Sequence, residues 1–497
     1  MNRSRIGLFT GLLLLLIMLI APTPEGLSDQ AMRAAGVTLL MACWWMTEAI
    51  PIAGTALIPL AAFPLLGILD AKTTAANYGH NYVLMMLSGL FIARVFETHG
   101  VHRRIALVLI NKIGTSRRKI VLSFMLATAV LSMWIANVAV TLLMLPIAMA
   151  VIAKEEEADG TATGAFGLCL MLAVAHAASI GGTGSLVGTP PNMVFVGMVK
   201  TMYPGAPEIS FFQWMMIGLP FVILFLPITW LYLTWFHKVK GEFPGSSEVL
   251  ANELRSLGPT STAEKRVLLV FFLTGLGWIF RRDLILGPMT VPGWSTLLGD
   301  PNMVHDATVA VLAAVSLFLI PTGGKESRKL ITWEEAESVP WGIVYIVGGG
   351  YAIAKSFTQT GLADWLGVQL AFIGAFPLAL IIVLVILFMT FITEINSNTA
   401  TANIFLPVLA TMAIAGDMHP FLLMIPATFA CSCAFMLPSG TGPNAMIFAS
   451  GRVTIPEMSK TGFWLNLLSV VVMSIVMVGV AVPVLELTIA VPEWAGK

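Results

Sequence analysis

Two asparagines, Asn137 and Asn398, lie near the middle of long apolar segments that contain few other polar residues. A Gly- and Pro-rich element lies beyond each of them, at 188–192 (Gly-Thr-Pro-Pro-Asn) and 440–444 (Gly-Thr-Gly-Pro-Asn). Amides, hydroxyls and the first N–H groups of a half-helix can donate hydrogen bonds to an anion. Their oxygens and exposed carbonyls can hold a small hard cation. These residues therefore predict a site for a small anion and a cation.

The segments that carry the two asparagines cover about 120–153 and 380–415. Each is too long for one membrane span of roughly 20 residues. The first has no charge and no polar turn that could lie in water between two spans, and the second repeats its pattern. We therefore predict two re-entrant hairpins, with tips near 136–138 and 397–399. A single tilted helix with a long cytoplasmic extension is the alternative for the first segment. An interhelical hydrogen bond that only packs the tip is the alternative role for each asparagine.

The Gly- and Pro-rich elements interrupt two further apolar segments, at about 166–198 and 421–450. In the second segment the interruption is predicted at 438–444. A broken helix frees backbone groups that hydrocarbon cannot satisfy, so it is tolerated only inside protein or beside a cavity. Broken helices of this kind are the best sequence indication of a transporter binding site.

The two halves of the chain align without a gap for nearly sixty residues, which places Asn137 on Asn398 and Pro146 on Pro407. After a nine-residue change of offset, the 188–192 element matches 440–444, so that Asn192 falls on Asn444. The repeats cover about 80–236 and 341–485. The stretch 98–119 is rich in Arg and Lys, whereas its counterpart 359–380 contains neither. Because basic loops stay in the cytoplasm, the copies begin on opposite sides of the membrane. The repeats are therefore predicted to be inverted, and their tips to meet near the midplane.

Composition places the whole chain in a bilayer, since only 11% of its 497 residues are charged and 57% are hydrophobic. A soluble protein has about 25% charged residues. We predict an all-α polytopic protein of a bacterial-type inner membrane, with about eleven spans and two hairpins. Arg3 and Arg5 predict a cytoplasmic N-terminus and an uncleaved first span. The net charge of zero gives no indication of nucleic-acid binding, and the four cysteines lie in apolar stretches.

Three other ionisable residues in apolar segments are candidate functional groups. Glu48 and Glu394 could carry protons, but neither has a repeat counterpart, so a structural hydrogen-bonding role is favoured. His176 is expected to be a packed polar residue. A membrane-embedded enzyme is the remote alternative, because no H-E-x-x-H, G-x-S-x-G or P-loop motif occurs. A channel does not require paired inverted tips.

The run 393–401, Thr-Glu-Ile-Asn-Ser-Asn-Thr-Ala-Thr, resembles the signature of the divalent anion/sodium symporter (sodium:dicarboxylate/sulfate symporter) family. The run 44–51, Trp-Trp-Met-Thr-Glu-Ala-Ile-Pro, and the 188–192 element are also similar to that family. The resemblance implies a homodimer that carries dicarboxylates, citrate or sulfate by an elevator motion. It implies sodium coupling, with sodium-independent exchange as the alternative, and no further cofactor.

The resemblance also implies roles for individual residues. Substrate would contact Asn137, Asn398, Thr399, Thr189 and Thr441. One sodium would lie near Ser132, Asn137 and Gly188, and the other near Thr393, Asn398 and Gly440.

Three positions depart from the family pattern. Ala136 and Val138 stand where Ser and Thr are expected, and Gly442 replaces the first of two prolines. These departures predict an asymmetric site and a weak first sodium position. The resemblance implies a dicarboxylate as the expected substrate, with sulfate or a less highly charged organic anion as the alternatives.

Overall fold

Helices account for nearly all the regular structure in the computed structural model of this chain, which describes residues 3–111, 116–159, 164–242, 246–286, 289–323 and 328–496. Within these ranges the strands form one antiparallel ribbon, β1 (Leu284–Leu286) with β2 (Met289–Val291). The fold class is therefore all-α. Positions 112–115, in the stretch predicted to be cytoplasmic, lie outside the described residues.

The first part of the chain forms two long helices, a group of short ones, and a pair bent by 69° at Gly100. Ser28 caps the second helix by accepting a hydrogen bond from the Ala31 N–H at 3.0 Å. In chain order the helices are α1 (Arg3–Ile20), α2 (Asp29–Thr47), α3 (Ile52–Thr55), α4 (Ile58–Leu65), α5 (Ala71–Ala76), α6 (Asn81–Thr98) and α7 (Val101–Asn111).

The next helices include both predicted anomalous segments of the first repeat. The chain breaks between α8 and α9, and again between α10 and α11. The helices are α8 (Arg117–Ser132), α9 (Asn137–Asp159), α10 (Ala165–Gly182), α11 (Pro190–Met202), α12 (Phe211–Phe236), α13 (Ser246–Ser256), α14 (Thr262–Ile279), α15 (Asp306–Leu319) and α16 (Trp333–Glu337).

The last part of the chain repeats this order of breaks, between α19 and α20 and between α21 and α22. A π-helical segment (Met477–Ala481) joins the final two helices. The helices are α17 (Gly342–Thr360), α18 (Leu362–Leu370), α19 (Leu378–Ile392), α20 (Asn398–Ala415), α21 (Phe421–Cys431), α22 (Gly442–Ala449), α23 (Ile455–Val476) and α24 (Val482–Val484).

Seven helices of the described residues are long and apolar enough to cross a membrane, or eight if the bent pair ending in α7 counts as one span. Four further apolar helices, such as Asp306–Leu319 and Phe421–Cys431, are shorter. The protein is therefore a polytopic membrane protein. Length and apolarity alone give fewer spans than the eleven predicted from the sequence.

The broken helices form the centre of the packing. Of the α10 window that could span a membrane, 89% is buried, and α10 packs against α8, α9, α12 and α22. Gly181 permits the close approach of α8, because a Cβ there would lie 2.4 Å from the Ala129 carbonyl oxygen. The two halves of the chain interlock, since α22 packs on α9 and α11 packs on α20.

An ionic cluster fixes the loop before α12 to the ends of α14 and α15. The Arg281 guanidinium is fully buried and lies 2.5 Å from both Glu208 Oε1 and Asp306 Oδ1. Burial alone would raise the pKa of Glu208, but Arg281, His305 and Arg282 lower it below its usual value, so the carboxylate remains charged. A charge buried in this way is tolerated because it is paired.

Candidate functional site

The first tip is held by a hydrogen-bonded pair of side chains. Four residues separate the end of α8 from Asn137, the first residue of α9. Ser132 Oγ lies 2.6 Å from the Asn137 amide and 2.8 Å from the Ala178 carbonyl oxygen of α10, and it hydrogen-bonds to both. Ser132 is completely buried. The hydroxyl therefore ties the tip to the broken helix behind it.

The second tip has the same arrangement. Thr393 donates to Asn398 Oδ1 at 3.0 Å and to the Cys431 carbonyl of α21 at 2.9 Å. Thr393 is also completely buried. The matched hydroxyl–asparagine pairs of the sequence therefore have equivalent contacts in space.

Each helix break is held together by a buried asparagine. Asn192 Nδ2 donates to the carbonyls of Gly182 and Ser185 at 3.1 and 2.7 Å. Asn444 Nδ2 donates to Ala434 and Leu437, both at 3.0 Å. These bonds satisfy carbonyls that the break removes from the helix ladder. No role was predicted for these two asparagines, although their matched positions in the repeat indicated that both were important.

The break in the second broken helix differs from its predicted position. It begins after Cys431, well before Pro438, and ends at Gly442. The Glu394 carboxylate accepts hydrogen bonds from the Phe435, Met436 and Leu437 N–H groups at 2.7–3.0 Å. Those donors are thereby removed from the helix, so the helix ends before the proline.

Glu394 and Glu48 have different environments. Asn466 Nδ2 also donates to Glu394 Oε1, at 2.8 Å, which gives this carboxylate the structural role that the sequence favoured. Glu48 instead is exposed and ends α2 in the left-handed conformation, with φ 49°. Its side chain makes no hydrogen bond within the described residues, so the expectation of a structural hydrogen bond there was wrong. The residue lies at a helix end and not in the interior of one.

His176 packs as expected, within α10. It is fully buried, and its ring meets Phe435 edge-on with centroids 4.9 Å apart. Neither ring nitrogen has a hydrogen-bond partner in the structure.

Both tips and both breaks line one cavity of about 260 Å³. All five residues predicted to contact substrate lie on its wall, together with Gly188 and Gly440, whereas Ser132 and Thr393 lie behind the tips. The opposite wall comes from α6 and the start of α17, which the sequence analysis did not include. Among the described residues that line the cavity none is ionisable. The residues from α6 and α17 are Met86, Gly89, Leu90, Ala93 and Ile343.

Several hydrogen-bond donors in this cavity have no protein partner. Thr189 and Thr399 are only 3% and 7% exposed, and neither hydroxyl makes a hydrogen bond within the described chain. The same holds for Asn398 Nδ2. These groups face the cavity, so they are available to donate to a ligand that brings acceptor oxygens. Helices α9, α11, α20 and α22 all begin at the cavity, and their N-terminal ends favour a negative charge.

A cluster of oxygens lies behind the first tip. Asn137 Oδ1 is 3.3 Å from the carbonyl oxygens of both Gly188 and Ala178, and 2.6 Å from Ser132 Oγ. Exchanging the two amide atoms would turn these contacts into hydrogen bonds. With oxygen in this place, the four oxygens suit a small hard cation. Within the described residues no group of three or more His, Cys, Asp or Glu could hold a metal, so a cation here would have neutral ligands.

The chain matches the family model described as "Sodium:sulfate symporter transmembrane region" over residues 2–485. The chain belongs to this family, which confirms the resemblance carried by the motifs and makes the protein a membrane transporter and not an enzyme. The "Sodium-dependent dicarboxylate transporter SdcS" of Staphylococcus saprophyticus is 41% identical over 98% of this chain and 93% of its own length. The protein of the same name from Staphylococcus aureus is 40% identical over the same shares.

Two solved structures share the fold. Neisseria gonorrhoeae MtrF aligns with a TM-score of 0.57 at 11% identity, over 97% of this chain and 96% of its own. The Alcanivorax borkumensis YdaH transporter aligns with the same TM-score at 16% identity, over 97% and 100%. At this level of identity the likeness concerns the fold alone.

Proposed function

We propose that this protein is a sodium-coupled transporter of small dicarboxylates in a bacterial plasma membrane, with its substrate site between the tips at Asn137 and Asn398. The observation that carries the proposal is the cavity lined by both tips, in which the buried hydroxyls of Thr189 and Thr399 lack partners. Membership of the sodium:sulfate symporter family and 40–41% identity to proteins named as sodium-dependent dicarboxylate transporters support it.

The lining of the cavity explains why sodium accompanies the substrate. A dicarboxylate brings two negative charges into a site with no cationic side chain among its described residues. A charge removed from water is costly unless an opposite charge is close. Helix N-termini supply only partial positive charge. Sodium ions bound behind the tips supply the remainder, so substrate and sodium bind together.

Each tip asparagine connects the two ligands. At Asn398 the amide oxygen accepts from the Thr393 hydroxyl, and Nδ2 has no partner within the described chain. At Asn137 the amide can present either atom to Ser132, and a sodium ion behind the tip would select the oxygen. An asparagine side chain can accept at one atom and donate at the other. Sodium near Ser132, Asn137 and Gly188, or near Thr393, Asn398 and Gly440, would therefore orient the amide that donates to the substrate.

The proposal includes the architecture expected from the repeats. The tips and breaks form one interlocked body of helices α8–α12 and α19–α23, whose cavity faces α6 and α17. We assign this body to an elevator motion against the remaining helices, within a homodimer of two inverted repeats. Tyr351 of α17 is fully buried and donates to the Met193 carbonyl of α11 at 2.5 Å, so movement of the body would break this bond.

Uptake into proteoliposomes tests the function. Succinate, citrate and sulfate are each supplied with and without an inward sodium gradient. Saturable succinate uptake that requires the gradient is expected, because sodium compensates the charge of the substrate. Succinate counterflow without sodium would instead make the protein an exchanger, and preference for sulfate would overturn the dicarboxylate assignment.

Cysteine accessibility tests the inverted repeats. Lys119 and Gln369 are exposed and lie in or beside the two loops whose charges differ. Lys119→Cys and Gln369→Cys are introduced separately after Cys43, the one native cysteine that is not buried, is replaced by Ser. An impermeant maleimide should label position 369 from outside intact cells and position 119 only after permeabilisation. Labelling of both positions from one side would contradict the inversion.

A further inference from the structure

The two ends of the cavity use different residues at two matched positions. At one end Thr399 of α20 faces the α11 side of the interlock, where the helix begins at Pro190. At the other end the matched residues are Val138 of α9 and Gly442, the first residue of α22. One end thus combines a hydroxyl with a proline, and the other a methyl group with a glycine.

Val138 and Gly442 lie against each other in the structure. A Cβ built on Gly442 would lie 2.2 Å from Val138 Cγ2, a distance that no pair of carbon atoms can adopt, but 3.6 Å from Val138 Cβ, which is ordinary contact. Val138 therefore fits only because residue 442 has no side chain. In its present rotamer the γ methyl of Val138 thus occupies the space that a side chain at 442 would take.

The two ends also differ in the origin of their hydrogen-bond donor. The donor is a side-chain hydroxyl at the Thr399 end and a backbone N–H at the Gly442 end. Helix α11 begins with Pro190 and Pro191, so its first two positions offer no N–H group. Helix α22 begins with Gly442, whose N–H lies in the first turn and has no acceptor within its own helix. In the described part of the chain this N–H makes no hydrogen bond. Thr441 accepts instead from the Asn444 N–H at 3.3 Å.

We propose that the Gly442 backbone N–H donates to an anionic oxygen of the substrate, at the end of the cavity where Val138 has replaced a hydroxyl. Thr189 and Thr399, whose side chains are 3% and 7% exposed and whose hydroxyls have no partner within the described chain, line the same cavity and suit a ligand rich in acceptor oxygens. Each end then offers a matched donor, a hydroxyl at one and an N–H at the other. A backbone N–H can only donate, so the Gly442 end takes an acceptor oxygen, such as that of a carboxylate. This proposal rests on the substrate site proposed above.

Removal of the N–H without a steric clash tests the assignment. In a Val138→Ala background the Cβ of either Gly442→Ala or Gly442→Pro is in ordinary contact with residue 138, and only the proline removes the N–H. Proline suits the first position of a helix, and Thr441 already has the extended conformation that precedes a proline. Val138→Ala/Gly442→Pro should raise the KM for succinate about 5- to 150-fold over Val138→Ala/Gly442→Ala, the effect of losing one hydrogen bond. Equal KM values would overturn the proposal.

The same pair of changes in a Val138→Ser background provides a second test, because the single γ atom of Ser can take a rotamer that avoids a Cβ at 442. There the hydroxyl takes over the donor role, so Gly442→Pro should raise the KM by no more than about threefold over Gly442→Ala, well below the loss of a bond. If the KM for succinate rises as much as in the Ala background, the hydroxyl at 138 does not replace the Gly442 N–H as donor. Should Val138→Ala/Gly442→Pro not fold, a large rise in the Ser background alone would also overturn the proposal, and a small one would support it.

Asn398→Ala separates failure of this inference from failure of the proposed site. If Asn398→Ala abolishes succinate uptake while the two Val138→Ala double variants have the same KM, the site stands and only the role of Gly442 is wrong. If Asn398→Ala transports normally, the substrate lies elsewhere and the proposed function of this cavity fails.

Discussion

The half-site around Asn137 and the half-site around Asn398 share a skeleton and differ in what they present to the cavity. In both, a buried hydroxyl binds the tip asparagine and a carbonyl of the broken helix, and a second asparagine closes the break. Only the second half has a carboxylate that holds the break, and hydroxyls on both sides of its tip asparagine. The buried bonds that shape the backbone are thus duplicated, whereas the groups that face the ligand have diverged.

This difference has a physical origin. A helix broken inside a membrane protein must satisfy its freed backbone groups, so a change to Ser132, Thr393, Asn192 or Asn444 would leave buried groups without partners. A residue that faces a cavity has no such obligation, because the ligand or water can satisfy it. Val138 and Ala136 can therefore lack the hydroxyls of Thr399 and Ser397 without loss of the fold.

The largest expected effect comes from removing a tip asparagine. Asn398→Ala removes a donor to the substrate and an acceptor of the Thr393 hydroxyl, and it should abolish detectable succinate uptake. Loss of one buried hydrogen-bonding partner alone costs roughly 1–3 kcal/mol, or about 5- to 150-fold in affinity. Asn137→Ala should have the same effect. Near-normal uptake by both variants would mean that the two half-sites share a skeleton without sharing a function.

Glu394, the carboxylate that holds the second helix break, should contribute to the stability of the fold and not to the transport reaction. Glu394→Gln replaces an acceptor of four hydrogen bonds by an amide whose NH2 faces backbone donors. The loss should be about 1.5–3 kcal/mol, as for a hydrogen bond to a charged group. Thermal unfolding of the purified protein in detergent measures it, with the exposed Glu48→Gln as the matched control.

The pH dependence of uptake distinguishes this structural role of Glu394 from proton relay. Succinate uptake by Glu394→Gln should keep the pH profile of the parent protein, with a lower amount of folded protein at each pH. A profile that loses one titration step would indicate that Glu394 carries a proton during transport.

Sodium dependence should sharpen the comparison between the tips. Ala136 offers only its backbone carbonyl where Ser397 has a hydroxyl, so the first sodium position should be the weaker one. Ala136→Ser/Val138→Thr should lower the sodium concentration for half-maximal uptake by about 2- to 12-fold, the value of one net hydrogen-bonding interaction. The reciprocal change Ser397→Ala/Thr399→Val should raise it. If neither double variant moves the sodium curve, the tip hydroxyls have no part in coupling.

The smallest effect on transport is expected at His176, because it belongs to neither hairpin tip. Its ring packs on Phe435 and does not line the cavity. His176→Ala should lower thermal stability through loss of packing, by about 2–5 kcal/mol if it behaves as other large-to-small core changes. The KM for succinate and the sodium curve should stay at the parent values. A shifted sodium curve would bring His176 into the coupling mechanism.

Much of the site could be predicted from sequence because its residues are conspicuous where they stand. Polar residues inside apolar segments usually have a structural or functional role, and the segments here contain Asn137, Asn398 and the Gly-Thr elements. Because these residues recur in both halves, they could be recognised as pairs. The five predicted substrate residues do line one cavity. The break of the second broken helix was misplaced, because a proline in the sequence is visible and a distant carboxylate that withdraws backbone donors is not.

The sequence by itself determined that the chain spans a membrane, which residues could meet an anion and a cation, and which positions correspond in the two halves. These properties follow from composition, local pattern and repetition along the chain. Only the tertiary structure decided that Glu394 ends a helix far from it in sequence, that Glu48 is exposed, and that Val138 contacts Gly442. Each of these depends on contacts between segments that are distant along the chain, and the chemical type of a residue does not specify its distant neighbour.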